Sequence, residues 1–213
     1  MDDLQVPRTG RLVPLHFEDL DDAQRALWES IVGSARGSDP RVVRADHLGG
    51  PFDAWLRSPE MGLRAARLGE VLRFSSRLSP LVRETAIMAT GAHFRSEFEF
   101  WIHSQIAVSE GRTGATVEAI ASGQVDPEVA GAEIAIVNET ARTMLADGAL
   151  GDDLYARALL VLGEAGLGET AVMEVVSLVG YYTMVSLTLN VFEVPLPAGV
   201  PARWPDRFQP PVS

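Results

Sequence analysis

The segment from Glu169 to Asn190 constrains this chain most. It has helical length, and apolar residues fall nearly all round it, among them Val172, Met173, Val175, Val176, Leu178, Val179, Met184, Val185, Leu187 and Leu189. A helix without a polar face has to be covered on every side, by its own domain or by another subunit. The rest of the chain supplies further helices. Segments of helical period open at Ser58–Pro59, Ser79–Pro80 and Asp126–Pro127, and close near Gly33, Gly111, Gly123 and Gly166. Serine or aspartate caps free amide hydrogens, proline tolerates the first helical position, and glycine accepts the left-handed stop. Asp21 with Gln24 makes a capping-box pattern for a helix ending near Gly33–Gly37. No stretch alternates with period two. The expected fold is all-α: one helical domain over 17–194, an extended arm over 1–16, and a proline-rich, non-helical tail over 195–213.

Composition removes several function classes. A net charge of −11 argues against nucleic acid, whose binding needs clustered positive charge. Without cysteine there is no disulfide, no thiolate metal site and no thiol catalysis. All 18 basic residues are arginine, which rules out a lysine Schiff base. No N-terminal charged-then-apolar leader and no run of eighteen apolar residues appears, so a cytoplasmic protein without a membrane partner is expected.

Chemistry concentrates between Leu78 and Gly111. A helix opens at Ser79–Pro80 and breaks near Phe94–Ser96; a second runs from Glu97 to Glu110. On the second, Ser96, Glu99, His103 and Ala107 fall at offsets of three or four and share a face. A serine, a carboxylate and an imidazole on one stripe, beside Phe98, Phe100 and Trp101, are too polar for a core-facing surface. The loop from Ser38 to Gly50, with His47, is long enough to act as a lid.

Counted from Glu84, the offsets to Ser96, Glu99 and His103 resemble those of the carboxymuconolactone decarboxylase family, within the alkylhydroperoxidase-D-like superfamily. The superfamily's peroxidases carry E-x11-C-x2-C-x3-H; here Ser96 and Glu99 stand at the cysteine positions, as in decarboxylase-like members. GPF-x-A-W-L-x-S-P at Gly50–Pro59, L-R at Leu72–Arg73 and V-G-Y-Y at Val179–Tyr182 extend the resemblance over about Gly50 to Val194. It implies an alkylhydroperoxidase-D-like bundle and a cofactor-free lyase, with no metal, acting on a small carboxylated lactone or related cyclic acid. It also implies assembly with copies of itself, as a trimer or hexamer. A thiol peroxidase is excluded by the missing cysteines.

The resemblance makes His103 the proton donor, tuned by Glu84 and Glu99. Glu84 would face it from the preceding helix, with a carboxyl raised by apolar surroundings. Glu99 would hold the ring, or else form an ordinary i,i+4 pair. Arg73, chosen over Arg77 and Arg95, would clamp the substrate carboxylate. Ser96 caps the second helix or touches substrate, and His93 answers the helix dipole or enters the pocket. Trp101, the aromatic beside the motif, would also contact substrate, and Tyr182 is a core aromatic or closes the pocket from a neighbouring subunit. Two other readings stand: a metal enzyme using His47, His93, His103 and Glu84 or Glu99, and a non-catalytic oligomeric binding module.

Overall fold

The computed structural model describes residues 10–163 and 166–206. Among them there are ten α-helices and no strand. In chain order they are α1 (Asp22–Val32), α2 (Pro51–Trp55), α3 (Pro59–Glu70), α4 (Pro80–His93), α5 (Glu97–Ser109), α6 (Gly114–Ser122), α7 (Pro127–Ala130), α8 (Ala132–Asp147), α9 (Asp152–Gly163) and α10 (Glu169–Val191). A 3-10 turn, Phe17–Asp19, precedes α1, and a π-helical turn, Val71–Ser75, extends α3. Asp21 and Gln24 form the expected capping box, and the Ser79 and Thr113 side chains cap α4 and α6, whereas Ser58 precedes α3 without a side-chain cap. The helix expected from Pro127 to Ala146 is in fact two, because Gly131 at φ +96° breaks it. Met1 to Arg8, Glu164 and the prolines at 210 and 211 lie outside the described residues.

α4, not α10, is the helix covered on all sides. Every residue from Glu84 to Ala92 is buried, and α5, α6, α8 and α10 pack around it. Its small residues (Ala86, Ala89, Gly91, Ala92) are what allow this. A side chain on Gly91 would come within 3.3 Å of the Phe100 amide nitrogen. α10 packs on α4 and α9 through Val175, Leu178 and Leu189, yet Met173, Val176, Leu187 and Val191 stay exposed. The chain by itself therefore covers α10 on all but one stripe. α10 is long and apolar enough to span a bilayer by length and composition, and half of that stretch is buried in the fold.

Two turns set the site's geometry. Glu174, an acid of the otherwise apolar α10, accepts hydrogen bonds from Ser76 Oγ and from the Arg77 and Leu78 amides, which fixes the entry to α4. Between α4 and α5 the chain reverses through Arg95 in the left-handed region (φ +47°). There Ser96 N–H donates to Gly91 O, and Asn190 Nδ2 donates to Phe94 O at 2.9 Å. The two helices consequently run antiparallel.

The described part of the arm lies over the chain's own surface. Arg11 bonds the carbonyls of Val191 and Phe192 and pairs with Glu193, and Leu15 N–H donates to Asp53. The tail folds back on α5 and α6: Arg203 pairs with Glu118, the Arg203 and Trp204 amides donate to Glu97, and the Trp204 ring meets Phe100.

Gly62 on α3 sits in a tight helix contact, since a Cβ there would lie 2.7 Å from Leu27 Cδ2 and 2.9 Å from Trp55 O. Gly62→Ala should lower stability by about 1–3 kcal/mol through overpacking. Gly114→Ala, with nothing within 4 Å, should be neutral or slightly stabilising. Thermal unfolding of both variants checks this, and equal melting temperatures would contradict the packing described.

Candidate functional site

The antiparallel hairpin brings Glu84 on α4 against His103 on α5. Glu84 Oε2 lies 2.5 Å from His103 Nδ1, both side chains are almost wholly buried, and nineteen positions separate them in sequence. On the other edge of the ring, Nε2 lies 3.0 Å from Glu99 Oε1. That contact is out of line for a hydrogen bond, and Glu99 Oε1 has no other partner, so it is an ion pair. Tyr182 from α10 packs edge-on against the imidazole at 5.1 Å. Glu84 Oε1 accepts no hydrogen bond and faces two guanidiniums, Arg83 Nε at 3.8 Å and Arg73 Nη2 at 4.0 Å.

His103 and Glu99 form part of the wall of a cavity of about 250 Å³; Glu84 stands behind the ring, outside the lining. Arg73, Tyr181, Tyr182 and Phe98 complete the inner part. From the Ser38–Gly50 loop, Ser38, Asp39, Arg41, Val42 and Gly50 line the outer part, whereas His47 lines a different groove. Arg41 and Asp39 neutralise each other in a two-point ion pair.

The charges in this site hold one another in place. Burial works against the imidazolium of His103, but the Glu84 and Glu99 carboxylates outweigh it and raise its pKa above 6.5. Burial would likewise push the Glu84 carboxyl up, and His103, Arg73 and Arg83 more than reverse it. The expected raised Glu84 is therefore corrected: its surroundings are cationic and not merely apolar. Burial disfavours the charge on Arg73 too, and the Tyr182 oxygen with Glu84 and Glu99 restores it. Burial keeps both tyrosines protonated.

Several expected site residues lie elsewhere. His93 is exposed and outside the cavity lining; it is nine residues from Glu84, about half a turn round the helix. Its pKa is lowered by burial and by Arg142. Trp101 faces Phe98 and the groove under the tail. Ser96 is at the N-cap position of α5, but its side chain neither caps the helix nor reaches the cavity, and Oγ is buried without a partner. Tyr182 does line the cavity, from the chain's own α10. Arg77 is exposed, which leaves Arg73 as the arginine of the expected three that enters. The metal set of His47, His93 and His103 is dispersed.

Sequence reasoning missed Arg36. Its guanidinium sits 5.7 Å from the Phe52 ring centroid and 5.4 Å from that of Phe74, and donates to Ala66 O at 3.3 Å. It is buried at the cavity wall, and burial lowers its pKa. Tyr181 was noted only beside Tyr182; its hydroxyl occupies the space where a side chain on Gly69 would be, 2.0 Å from the built Cβ position. Arg36 follows α1 in a Ser-Ala-Arg-Gly-Ser turn with no periodic signal to reveal it.

Comparison with family models, with curated proteins and with solved structures finds no match.

The opposed shifts define a pH window. The raised His103 contributes stability in full below about pH 6.5 and loses it as pH rises through its folded value. The lowered Glu84 contributes above about pH 4.5 and loses it as pH falls through its folded value. In an NMR titration the His103 ring should titrate above 6.5, and Glu84→Gln should move that midpoint down while costing about 3–5 kcal/mol of stability for the broken buried pair. An unmoved midpoint would contradict the coupling.

Proposed function

We propose that this protein is a cofactor-independent lyase, resembling carboxymuconolactone decarboxylase, that acts on a small carboxylated lactone or related cyclic acid by acid–base catalysis within an alkylhydroperoxidase-D-like bundle. The observation that carries the reading is His103: a buried imidazole at a cavity wall, with one ring nitrogen fixed by Glu84, the other directed toward Glu99, and both carboxylates favouring its charged form. A charged imidazole held this way is a proton donor.

Arg73 provides the anchor for a substrate carboxylate, through a planar guanidinium at the cavity wall. Phe98, Ile102 and Val185 offer apolar surface to a ring. In the proposed reaction the bond between the ring carbon and the carboxylate breaks and CO2 leaves. The electron pair passes into the conjugated lactone carbonyl, giving an enolate-like anion that Arg73 and the imidazolium stabilise. His103 Nε2 then gives its proton to a ring carbon, and solvent protonates the neutral imidazole again. Glu84 touches no substrate; it positions the ring and keeps the imidazolium charged.

The reading includes self-assembly, with a trimer favoured. The exposed stripe of α10 (Met173, Val176, Leu187, Val191) is the apolar surface a second copy would cover, and Gly180 on the same stripe, with nothing within 4 Å of its built Cβ, allows close approach. Light scattering should give a multiple of 23.0 kDa, and Leu187→Glu should shift it toward the monomer; a wild-type monomer at micromolar concentration would remove this part.

With a panel of small cyclic carboxylic acids and lactone acids, CO2 release should identify a substrate. For that substrate His103→Gln should lose roughly two to four powers of ten in turnover while keeping its fold. Arg73→Gln should chiefly raise KM. A folded and fully active His103→Gln protein would overturn the proposal.

A further inference from the structure

Three of the groups that bind metals best converge at a place the catalytic reading does not use. His16 ends the arm just before the 3-10 turn. Asp46 and His47 sit at the tip of the Ser38–Gly50 loop, in a turn closed by the bridge between Val43 and Leu48. Asp46 Oδ2 lies 2.9 Å from His16 Nδ1, and Asp46 Oδ1 lies 2.7 Å from His47 Nδ1. The three ligand atoms are all within 4.8 Å of one another. The two imidazoles meet at 73° with centroids 6.2 Å apart, so they approach the carboxylate from different directions and do not stack.

The backbone holds this arrangement before any ion arrives. Arg44 N–H donates to His47 O at 3.1 Å, Gly49 N–H to Val42 O at 2.8 Å, and Phe17 N–H to Asp46 O at 3.0 Å. The last of these fastens the arm to the turn. Ion–ligand distances near 2.0–2.1 Å imply ligand atoms about 3.3–3.5 Å apart in a tetrahedral site. The present separations, all within 4.8 Å, are within about 1.5 Å of that spacing. Two imidazole nitrogens and one carboxylate oxygen select a borderline divalent transition metal, Zn²⁺ first, over Ca²⁺ or Mg²⁺, which prefer oxygen. The site is half open to solvent, so water would fill the remaining position. As hydrogen bonds alone, exposed contacts of this kind contribute little to stability.

We propose that His16, Asp46 and His47 form a binding site for one Zn²⁺ ion or a similar divalent transition metal, which ties the N-terminal arm to the cavity's outer loop. Ser38, Asp39, Arg41 and Val42, earlier in that loop, line the cavity wall. Binding would replace the protons at the two Nδ1 atoms and restrain the loop from its far end.

The test uses the full chain after chelator treatment, titrated with ZnCl₂ by isothermal calorimetry and with CoCl₂ by visible absorption. One equivalent should bind per chain. His16→Ala, Asp46→Asn and His47→Ala should each weaken binding at least about tenfold, while His93→Ala should leave it unchanged. All four side chains are partly or fully exposed, and circular dichroism verifies folding. Zn²⁺ should also slow hydrogen exchange across residues 38–50 in the wild type and not in Asp46→Asn. Absence of a one-equivalent isotherm, or wild-type affinity in the Asp46→Asn protein, would overturn the site; unchanged exchange on binding would overturn the restraint of the loop.

Discussion

The contact between Glu84 and His103 is the one on which the rest of this structure depends. Each group alone would be costly to bury, and breaking such a pair leaves an uncompensated charge in the interior. The pair is affordable here only because cations and anions alternate through the site: Arg73 and Arg83 about Glu84, then the imidazole, then Glu99. Helix α4 has to run through the centre of the fold for this to happen. Its small residues admit neighbours on all sides, and its Glu84 enters the core at zero exposure.

That central constraint explains why the surrounding elements are attached as they are. Glu174 fixes the start of α4, Asn190 fixes the turn that leads to α5, and the tail's amides hold Glu97 in the first turn of α5. Each of these bonds reaches across roughly a hundred residues to a segment next to Glu84 or His103. The hairpin's geometry is therefore stabilised from outside as well as by its own packing.

Much of this was legible in the sequence. Serine–proline and aspartate–proline starts mark helices by local chemistry, and the spacing of Glu84, Glu99 and His103 carried the site. What the sequence could not carry were facts of packing between distant segments. The stripe argument placed Ser96 with Glu99 and His103, but Ser96 has extended backbone angles, so helical periodicity no longer applies to it. Trp101, two residues before His103, points well over a quarter-turn away. The sign of the Glu84 shift depends first on the charge and hydrogen bond of His103 and then on Arg73 and Arg83, whose directions no periodicity reveals, and Arg36 and the His16–Asp46–His47 cluster lie in turns without any repeat. Apolar composition likewise says nothing of which helix lies at the centre: small side chains let α4 be covered on all sides, while α10 keeps an exposed stripe.

The central claim is that a carboxylated ring binds with its charge on Arg73 and a ring carbon near His103. Crystals of the protein soaked with a small cyclic carboxylic acid test it most directly. The account predicts electron density in the cavity with the carboxylate on the Arg73 guanidinium and the ring between Phe98 and the imidazole. A ligand seated elsewhere, or with its carboxylate turned away from Arg73, would contradict it.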